Sequence, residues 1–274
     1  KKGIITDEMK EVAIAEGMSP ERLASDIAAG VTVITRNVLH DIKPVVIGKG
    51  LSTKINANIG TSKDKVSFDG EIEKLDILVK YGADAVMDLS TGGSIRDMRR
   101  LLTAKSPIAV GTVPIYEAAV RAAESHGRMS KMTPDDIFKV IEDHAEEGVD
   151  FVTVHCGVNR RAIERLKDEG RILDIVSRGG SFLLEWMIYN DRENPLFEYY
   201  DRLLEIVKKN DVTLSLGDGL RPGCIEDATD RSQIEELLTI GELRDRALEA
   251  GVQAIIEGPG HVPLNQVELN IKLE

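Results

Sequence analysis

Val252-Gln253-Ala254-Ile255-Ile256-Glu257-Gly258-Pro259-Gly260-His261-Val262-Pro263 joins two kinds of residue that a hydrophobic core has no reason to join. The first five form a short apolar run of the kind that makes a buried strand. The turn leaving that run holds a carboxylate, an imidazole, two glycines and two prolines. Glycine allows close backbone approach or positive φ, and proline stiffens the exit. Glu257 and His261 are thus presented on a rigid mount, as acid–base groups or metal ligands need to be. One apolar run after another in this chain ends in the same polar, glycine-rich way.

Working back from that stretch, apolar runs fall at 54–59, 83–89, 108–113, 151–154, 172–176, 213–216 and 252–256. Between them lie amphipathic patterns at 70–81, 94–104, 133–147, 159–169, 195–210 and 232–250. Strands alternating with helices predict a parallel sheet with helical crossovers. A doubly wound dinucleotide fold opens on G-x-G-x-x-G after its first strand. Here the first strand ends Asn56-Ala57-Asn58-Ile59-Gly60-Thr61, without that loop. The chemistry-bearing residues sit instead at the C-terminal ends of all seven runs, as on the top face of a barrel.

The expected architecture is therefore α/β: a (β/α)8 TIM-type barrel over 51–274, with seven strands visible and the eighth missing beyond Glu274. It is preceded by an N-terminal helical segment over 1–50, in which 6–16 and 19–29 read as helices. Ser19-Pro20-Glu21-Arg22 supplies a helix start with proline at the first helical position. Residues 47–51 read as a glycine-rich turn. A last amphipathic helix is expected over 264–274. The chain begins without Met and stops inside that helix, so both ends look cut.

At 274 residues, 42% hydrophobic and 30% charged, the chain has the make-up of a globular protein with a sizeable core. A formal charge of −12 argues against a nucleic-acid or anionic-membrane surface. No apolar run approaches the length of a membrane span, and residues 1–10 have no signal-peptide character. The two cysteines, Cys156 and Cys224, form no C-x-x-C pair. They read as small buried residues, and their scarcity favours the cytoplasm.

The strand ends carry the candidate site. Asn56 and Asn58 point to one side of the first strand, as a polar plug for the loops or as ligand contacts. Asp88, in Met87-Asp88-Leu89-Ser90-Thr91, is an acid–base group or a loop cap, and Met87 reads as core. Tyr116 offers a phenol near the mouth or packs with its hydroxyl satisfied. His155, directly after 151–154, reads as functional rather than as a core histidine. His40, His126 and His144 lie in helical or loop contexts and read as solvated. Ser177-Arg178-Gly179-Gly180-Ser181 opens a helix and makes an anion cradle, or else a plain N-cap with a tight turn. Asp218 and Arg221, in Gly217-Asp218-Gly219-Leu220-Arg221-Pro222-Gly223, present an acceptor and a donor to one ligand or pair with each other. Several carboxylates, two histidines and an anion cradle on one face describe a small-molecule active site.

Taken together, 54–60, 86–91, 111–116, 175–180, 215–222 and 257–263 resemble the phosphomethylpyrimidine synthase family of thiamin biosynthesis, from about Gly3 to the end. The resemblance implies a (β/α)8 barrel and a non-standard radical S-adenosylmethionine enzyme. Such enzymes rearrange 5-aminoimidazole ribotide into hydroxymethylpyrimidine phosphate, with release of formate and carbon monoxide. It implies substrate contacts at Asn58, Met87, Tyr116, His155, Ser177, Arg178, Gly179, Asp218, Gly219, Leu220, Arg221 and Glu257. Catalytic roles are expected at Glu257, His155 and Asp218, and His261 is implied as one ligand of a zinc or other divalent metal. The implied partners are the ribotide and a second copy of the chain, with no nucleic acid and no membrane.

Two features depart from that pattern. The family's C-x-x-C-x-x-x-x-C motif for a 4Fe–4S cluster does not occur here, nor do a second metal histidine and a further substrate tyrosine. The segment Val33-Ile34-Thr35-Arg36-Asn37-Val38-Leu39-His40 differs from the Pro-x-Asn-x-Asn-His-like stretch of the pyrimidine synthases. It leaves room for the related enzymes that turn the same ribotide into 5-hydroxybenzimidazole for cobamide lower ligands. Two readings of other classes stay open: a non-catalytic ribotide-binding barrel, and a metal-assisted hydrolase using Glu257, His261 and His155.

Overall fold

A computed structural model of the chain describes residues 3–274. Two helices open it, α1 (Asp7–Ala15) and α2 (Pro20–Ala28), close to their expected places. Each begins where a hydroxyl takes up an orphan amide: Thr6 accepts from Met9 N, and Ser19 from Arg22 N. The next element, an antiparallel hairpin, is not expected from the sequence. It joins β1 (Thr32–Thr35) and β2 (Val45–Gly48), in register from Thr32↔Gly48 to Thr35↔Val45. Part of the expected turn at 47–51 is therefore strand.

Beyond residue 50 the chain runs β3 (Asn56–Ile59), α3 (Phe68–Lys80), β4 (Ala85–Asp88), α4 (Ile95–Lys105), β5 (Ala109–Thr112), α5 (Pro114–His126) and α6 (Pro134–Glu146). It continues through β6 (Phe151–Val154), α7 (Arg160–Glu169), α8 (Arg178–Asn190), α9 (Pro195–Glu198), α10 (Tyr200–Lys209) and β7 (Thr213–Leu216). The last elements are α11 (Arg231–Ala250), β8 (Ala254–Ile256) and α12 (Val267–Leu273). No described helix is long and apolar enough to cross a membrane.

Six strands form one parallel sheet in the order β3-β4-β5-β6-β7-β8. Every strand neighbours the next in sequence, so the winding never reverses and there is no switch point. Register sets Asn58, Met87, Gly111, Phe151 and Thr213 side by side on one face. Side chains alternate along a strand, so Thr153, Ser215 and Ile255 form the next row on that face. The ladder carries on past the strand ends through Gly217 N to Val154 O and Glu257 N to Leu216 O. His155, Gly217 and Glu257 are thereby brought to the same face, one row further on. On the opposite face Val86 and Val110 share an apolar cluster with Leu75, Met98 and Leu102 of α3 and α4. Val152 and Leu214 belong to the main core with Ile137, Ile141, Leu203 and Leu243.

The fifth of the expected strands, at 172–176, is absent among the described residues. Its apolar content reads as strand, but Ile172 is 68% exposed and no ladder takes up its backbone. The amides of Ile172 and Leu173 donate to the Asp227 carboxylate instead, at 2.8 and 3.0 Å. Asp174, with φ of 46°, turns the chain out of extended geometry. Helix α5 is a further addition: no helix is expected between 108–113 and 133–147, but Pro114 occupies a first helical turn. The expected helix at 195–210 is two, α9 and α10, divided at Tyr199.

Two of the histidines expected to be solvated are buried in polar networks. His40 Nδ1 lies 2.8 Å from Asp150 Oδ2, which also accepts from Val110 N at 2.7 Å. Asp150 Oδ1 accepts from Asn37 N at 2.8 Å, so one carboxylate ties the segment after β1 to the sheet. His144 sits between Thr112 Oγ1 and Glu117 Oε2, at 2.7 and 2.8 Å. Burial pushes its pKa down to about 4. His126 is exposed, as expected.

Candidate active site

β6 delivers His155 to the top of the sheet. The residue is buried, and its Nδ1 has no hydrogen-bond partner among the described residues. Burial, reinforced by the charge of Arg221, pushes its pKa down to about 4. The backbone here is fixed by Asn194, whose Nδ2 donates to His155 O at 2.9 Å and Val158 O at 2.8 Å. The first turn of α8 packs directly on the imidazole, and a Cβ at Gly179 would run into the ring. Only glycine lets the helix come this close. The neighbouring Gly180 is in the same position against the backbone of Gly219.

Ser177 is the N-cap of α8, its Oγ accepting from Gly180 N at 3.2 Å. The capping reading is realised, and Arg178, the first residue of the helix, is exposed. The Arg178 guanidinium lies over the Tyr116 ring, 5.0 Å from its centroid. Tyr116 is half-buried and meets Phe182 edge-on at 6.1 Å. Burial raises its phenol pKa against the opposing charges of Arg178 and Arg221.

The loop after β7 supplies Asp218, buried and 3.2 Å from Arg221 Nη1. Burial first, then the charge of Glu257, pushes its pKa up to about 7, although Arg221 works the other way. A carboxyl poised there can take or give a proton near neutrality. Glu257, half-buried beyond β8, accepts from Thr153 Oγ1 at 3.1 Å and from Ser215 Oγ at 2.9 Å. The fold thus gathers Tyr116, His155, Arg178, Gly179, Asp218, Gly219, Arg221 and Glu257 around the ends of β5 to β8. The result is a concentration of three acid–base groups, two guanidiniums and a phenol.

Other expected residues stand differently. Asn58 and Asn56 are exposed rather than buried, because β3 is an edge strand with one strand partner among the described residues. Register still puts Asn58 beside Met87. Met87 and Leu220 are both buried in the main core. Asp88 lies on the opposite face from Met87 and caps its own loop, accepting from Ser90 N at 2.9 Å. His261 is exposed on the turn beyond Glu257. Thr153, Ser215 and Asn194 carry no expectation from the sequence. The first two were within reach, since each lies two residues before a residue already singled out, His155 or Gly217, and alternation puts them on its face.

Among the described residues no group of three His, Cys, Asp or Glu side chains could hold a metal ion. Cys156 is enclosed in the core with its thiol pKa pushed up by burial, the reverse of what a thiolate ligand requires. Cys224 is half-buried and free. These residues do not provide a ligand set for an iron–sulfur cluster or a zinc ion. A cavity of about 220 Å³, lined by Ile27, Val33, Leu248, Val252 and Ala254, lies at the other end of β8 from Glu257.

A parallel α/β sheet with its ionisable groups gathered at the strand ends is the frame on which comparison with known proteins gives a clear result. The chain belongs to the radical SAM ThiC family, whose model matches residues 1–274. It is similar to a protein of Thermodesulfovibrio yellowstonii named phosphomethylpyrimidine synthase, with 65% identity over 100% of this chain and 64% of that protein. Proteins of the same name from Geobacter metallireducens and Moorella thermoacetica are 58% and 60% identical, with 63% of each covered. The chain therefore spans just under two thirds of the length of these relatives. Among solved structures, Plasmodium falciparum HPPK-DHPS aligns over 87% of this chain and 43% of that one, at 12% identity and a TM-score of 0.37, too low to bear on the fold.

Proposed function

We propose that residues 1–274 are the substrate-holding part of a radical S-adenosylmethionine enzyme that converts 5-aminoimidazole ribotide into the hydroxymethylpyrimidine phosphate of thiamin. The family match across the whole chain carries this reading. The naming of its relatives favours the pyrimidine product over 5-hydroxybenzimidazole. The unreversed strand order and the polar strand ends support a (β/α)8 barrel of which β3 to β8 are six staves.

In this reading the phosphate sits at the N-terminus of α8, on the amides after Ser177 and on Arg178, where partial positive charge and free N–H groups coincide. Asp218, Arg221, Tyr116 and Glu257 surround the ribose and the aminoimidazole, with Asn58, Met87 and Gly219 completing the contacts, and Leu220, enclosed in the core, holding the loop between Asp218 and Arg221. His155 stays neutral at physiological pH, so its imidazole can meet the substrate with either a donor or an acceptor nitrogen. Asp218 and Glu257 handle protons. The family implies a 4Fe–4S cluster and S-adenosylmethionine as the source of radical chemistry. Among the described residues no group of His, Cys, Asp or Glu could hold the cluster, and the work assigned to this chain is binding, orientation and proton transfer.

The test uses full-length protein. Calorimetry with aminoimidazole ribotide and with its dephosphorylated nucleoside compares wild type with Arg178→Ala. Losing a charge-assisted hydrogen bond to phosphate should cost the ribotide about 1.5–3 kcal/mol, and the nucleoside little. Equal losses for both ligands remove the phosphate from α8. A wild-type protein that binds neither removes the substrate.

A further inference from the structure

The loop that presents Asp218 and Arg221 is held from beneath at one residue. Leu220 N donates to Glu236 Oε2 at 2.7 Å, and Leu220 O accepts from Arg171 Nη2 at 2.6 Å. Both holding groups are buried. Glu236, on α11, is 2% exposed, and the Arg171 side chain, from the connector between α7 and α8, is fully enclosed. Arg171 is itself locked by Asp230, the N-cap of α11, through Nε to Oδ2 at 2.6 Å and Nη2 to Oδ1 at 2.8 Å. A bidentate fork of this kind fixes both position and angle.

Leu220 lies between Asp218 and Arg221 in the chain, so displacing its peptide groups displaces both side chains. Glu236 also has a second oxygen, Oε1, without a partner, packed beneath Gly219. The groups facing this carboxyl are the amides of Gly219 and Leu220, the carboxyl of Asp218 and the guanidinium of Arg171. Burial, with Asp218 adding to it, pushes the Glu236 pKa up to about 8. A neutral carboxyl avoids burying a charge and still accepts a hydrogen bond. A core position on an amphipathic helix calls for an aliphatic residue, and the packing of α11 gives no other reason for a carboxyl here.

We propose that Glu236 and Arg171 are positioning residues that clamp the two peptide groups of Leu220 and thereby set where Asp218 and Arg221 meet the substrate. The substrate half of this rests on the function proposed above; the clamp does not. In full-length protein, Glu236→Gln keeps a carbonyl acceptor, and Glu236→Met keeps the length but removes it. Amide hydrogen exchange over peptides covering 217–223 should speed up about tenfold or more in Glu236→Met, the scale of one lost buried hydrogen bond. In Glu236→Gln it should stay within about threefold of wild type on the same scale, because the acceptor is kept. Ribotide affinity should follow the same order, weakened in the Met variant and restored in the Gln variant.

Unchanged exchange in Glu236→Met overturns the clamp. Faster exchange with unchanged ribotide affinity overturns its positioning role. If wild type binds no ribotide, the substrate assignment falls and exchange alone decides the clamp. If Glu236→Met does not fold, Arg171→Lys takes its place. A lysine cannot serve Asp230 and Leu220 O together, so the same local acceleration is expected, and its absence overturns the proposal.

Discussion

Asp218 and His155 depart from ordinary acidity in opposite directions, and burial is the main cause of both. A carboxyl whose pKa rises from 3.8 to about 7 on folding binds more protons in the folded state than in the unfolded one. Its contribution to stability is therefore present at low pH and is lost as pH climbs from about 4 to about 7. Asp218→Asn should remove that loss, stabilising the protein at pH 8 relative to pH 4.5 by on the order of 2 kcal/mol. That is part of the roughly 1.4 kcal/mol per pK unit, with the rest given back by the abandoned Arg221. His155 runs the other way. Its pKa falls from 6.5 to about 4, so the unfolded state binds more protons in that window and stability is lost as pH drops through it. His155→Gln should spare the protein about 3 kcal/mol of that acid destabilisation. Urea unfolding at a series of pH values, each variant against wild type, reads both. A difference that does not change with pH would mean that the group titrates at its unfolded value. Of these two environments the sequence offered only the identities and the strand-end position; desolvation depends on which helix lies over them.

At the scale of elements, the packing of α8 on β6 is the contact that shapes the candidate site. Gly179→Ala forces a methyl group into the His155 ring. Overpacking of this kind costs about 1–3 kcal/mol, and the ring must turn or α8 must retreat. Thermal unfolding should show the loss, and the His155 ring resonances should shift while those of the exposed His126 stay put. A normal Tm with unmoved His155 resonances would contradict the packing described. Helix α6 gives a plainer case, away from the site. Thr133 and Asp136 form a reciprocal capping box, with Thr133 N donating to Asp136 Oδ2 at 2.7 Å and Asp136 N donating to Thr133 Oγ1 at 3.2 Å. Thr133→Ala should cost about 1 kcal/mol in chemical denaturation, with no effect on ligand binding.

For the whole molecule, Asp150 is the residue on which the N-terminal segment and the sheet converge. It is fully buried and takes hydrogen bonds from Asn37 N and Val110 N, with His40 Nδ1 2.8 Å away. Burial opposes protonation of His40, but the hydrogen bond and charge of Asp150 outweigh it and raise the pKa above its usual value. Asp150→Ala leaves two amides and an imidazole without their acceptor, which should cost about 3–5 kcal/mol. Limited proteolysis should then cut between β1 and β2 first; a variant as stable and as resistant as wild type would rule out this role. The sheet also ends on two strands, β3 and β8, each with a single strand partner among the described residues. On α12, Val267, Leu269, Ile271 and Leu273 are all exposed. Open edges and apolar faces seek partners, so residues 1–274 produced alone should associate in sedimentation velocity runs. A monodisperse monomer would contradict this.

What the sequence determined by itself rests on local periodicity and on residues whose backbone demands are strict. The alternation of apolar runs with helical patterns predicted all six parallel strands to within two residues at either end. Residue types at strand ends picked out His155, Asp218, Arg221 and Glu257 as one group, because strand C-termini in a parallel sheet open on the same side. Only the tertiary structure decided the rest. Ile172 to Val176 has strand-like composition, but Asp227, distant in sequence, takes the amides of Ile172 and Leu173. His144 reads as a surface helical histidine until α4 and α5 bring Arg99 and Glu117 over it. Glu236 and Arg171 carry no sequence signal at all, since a Glu on α11 and an Arg between two helices look solvated until the loop at Leu220 is laid between them. Periodicity records which face of an element is apolar, but hydrogen-bond partners and desolvation are set by whatever the fold places opposite, and that information is spread over residues too far apart in the chain for any local pattern to hold.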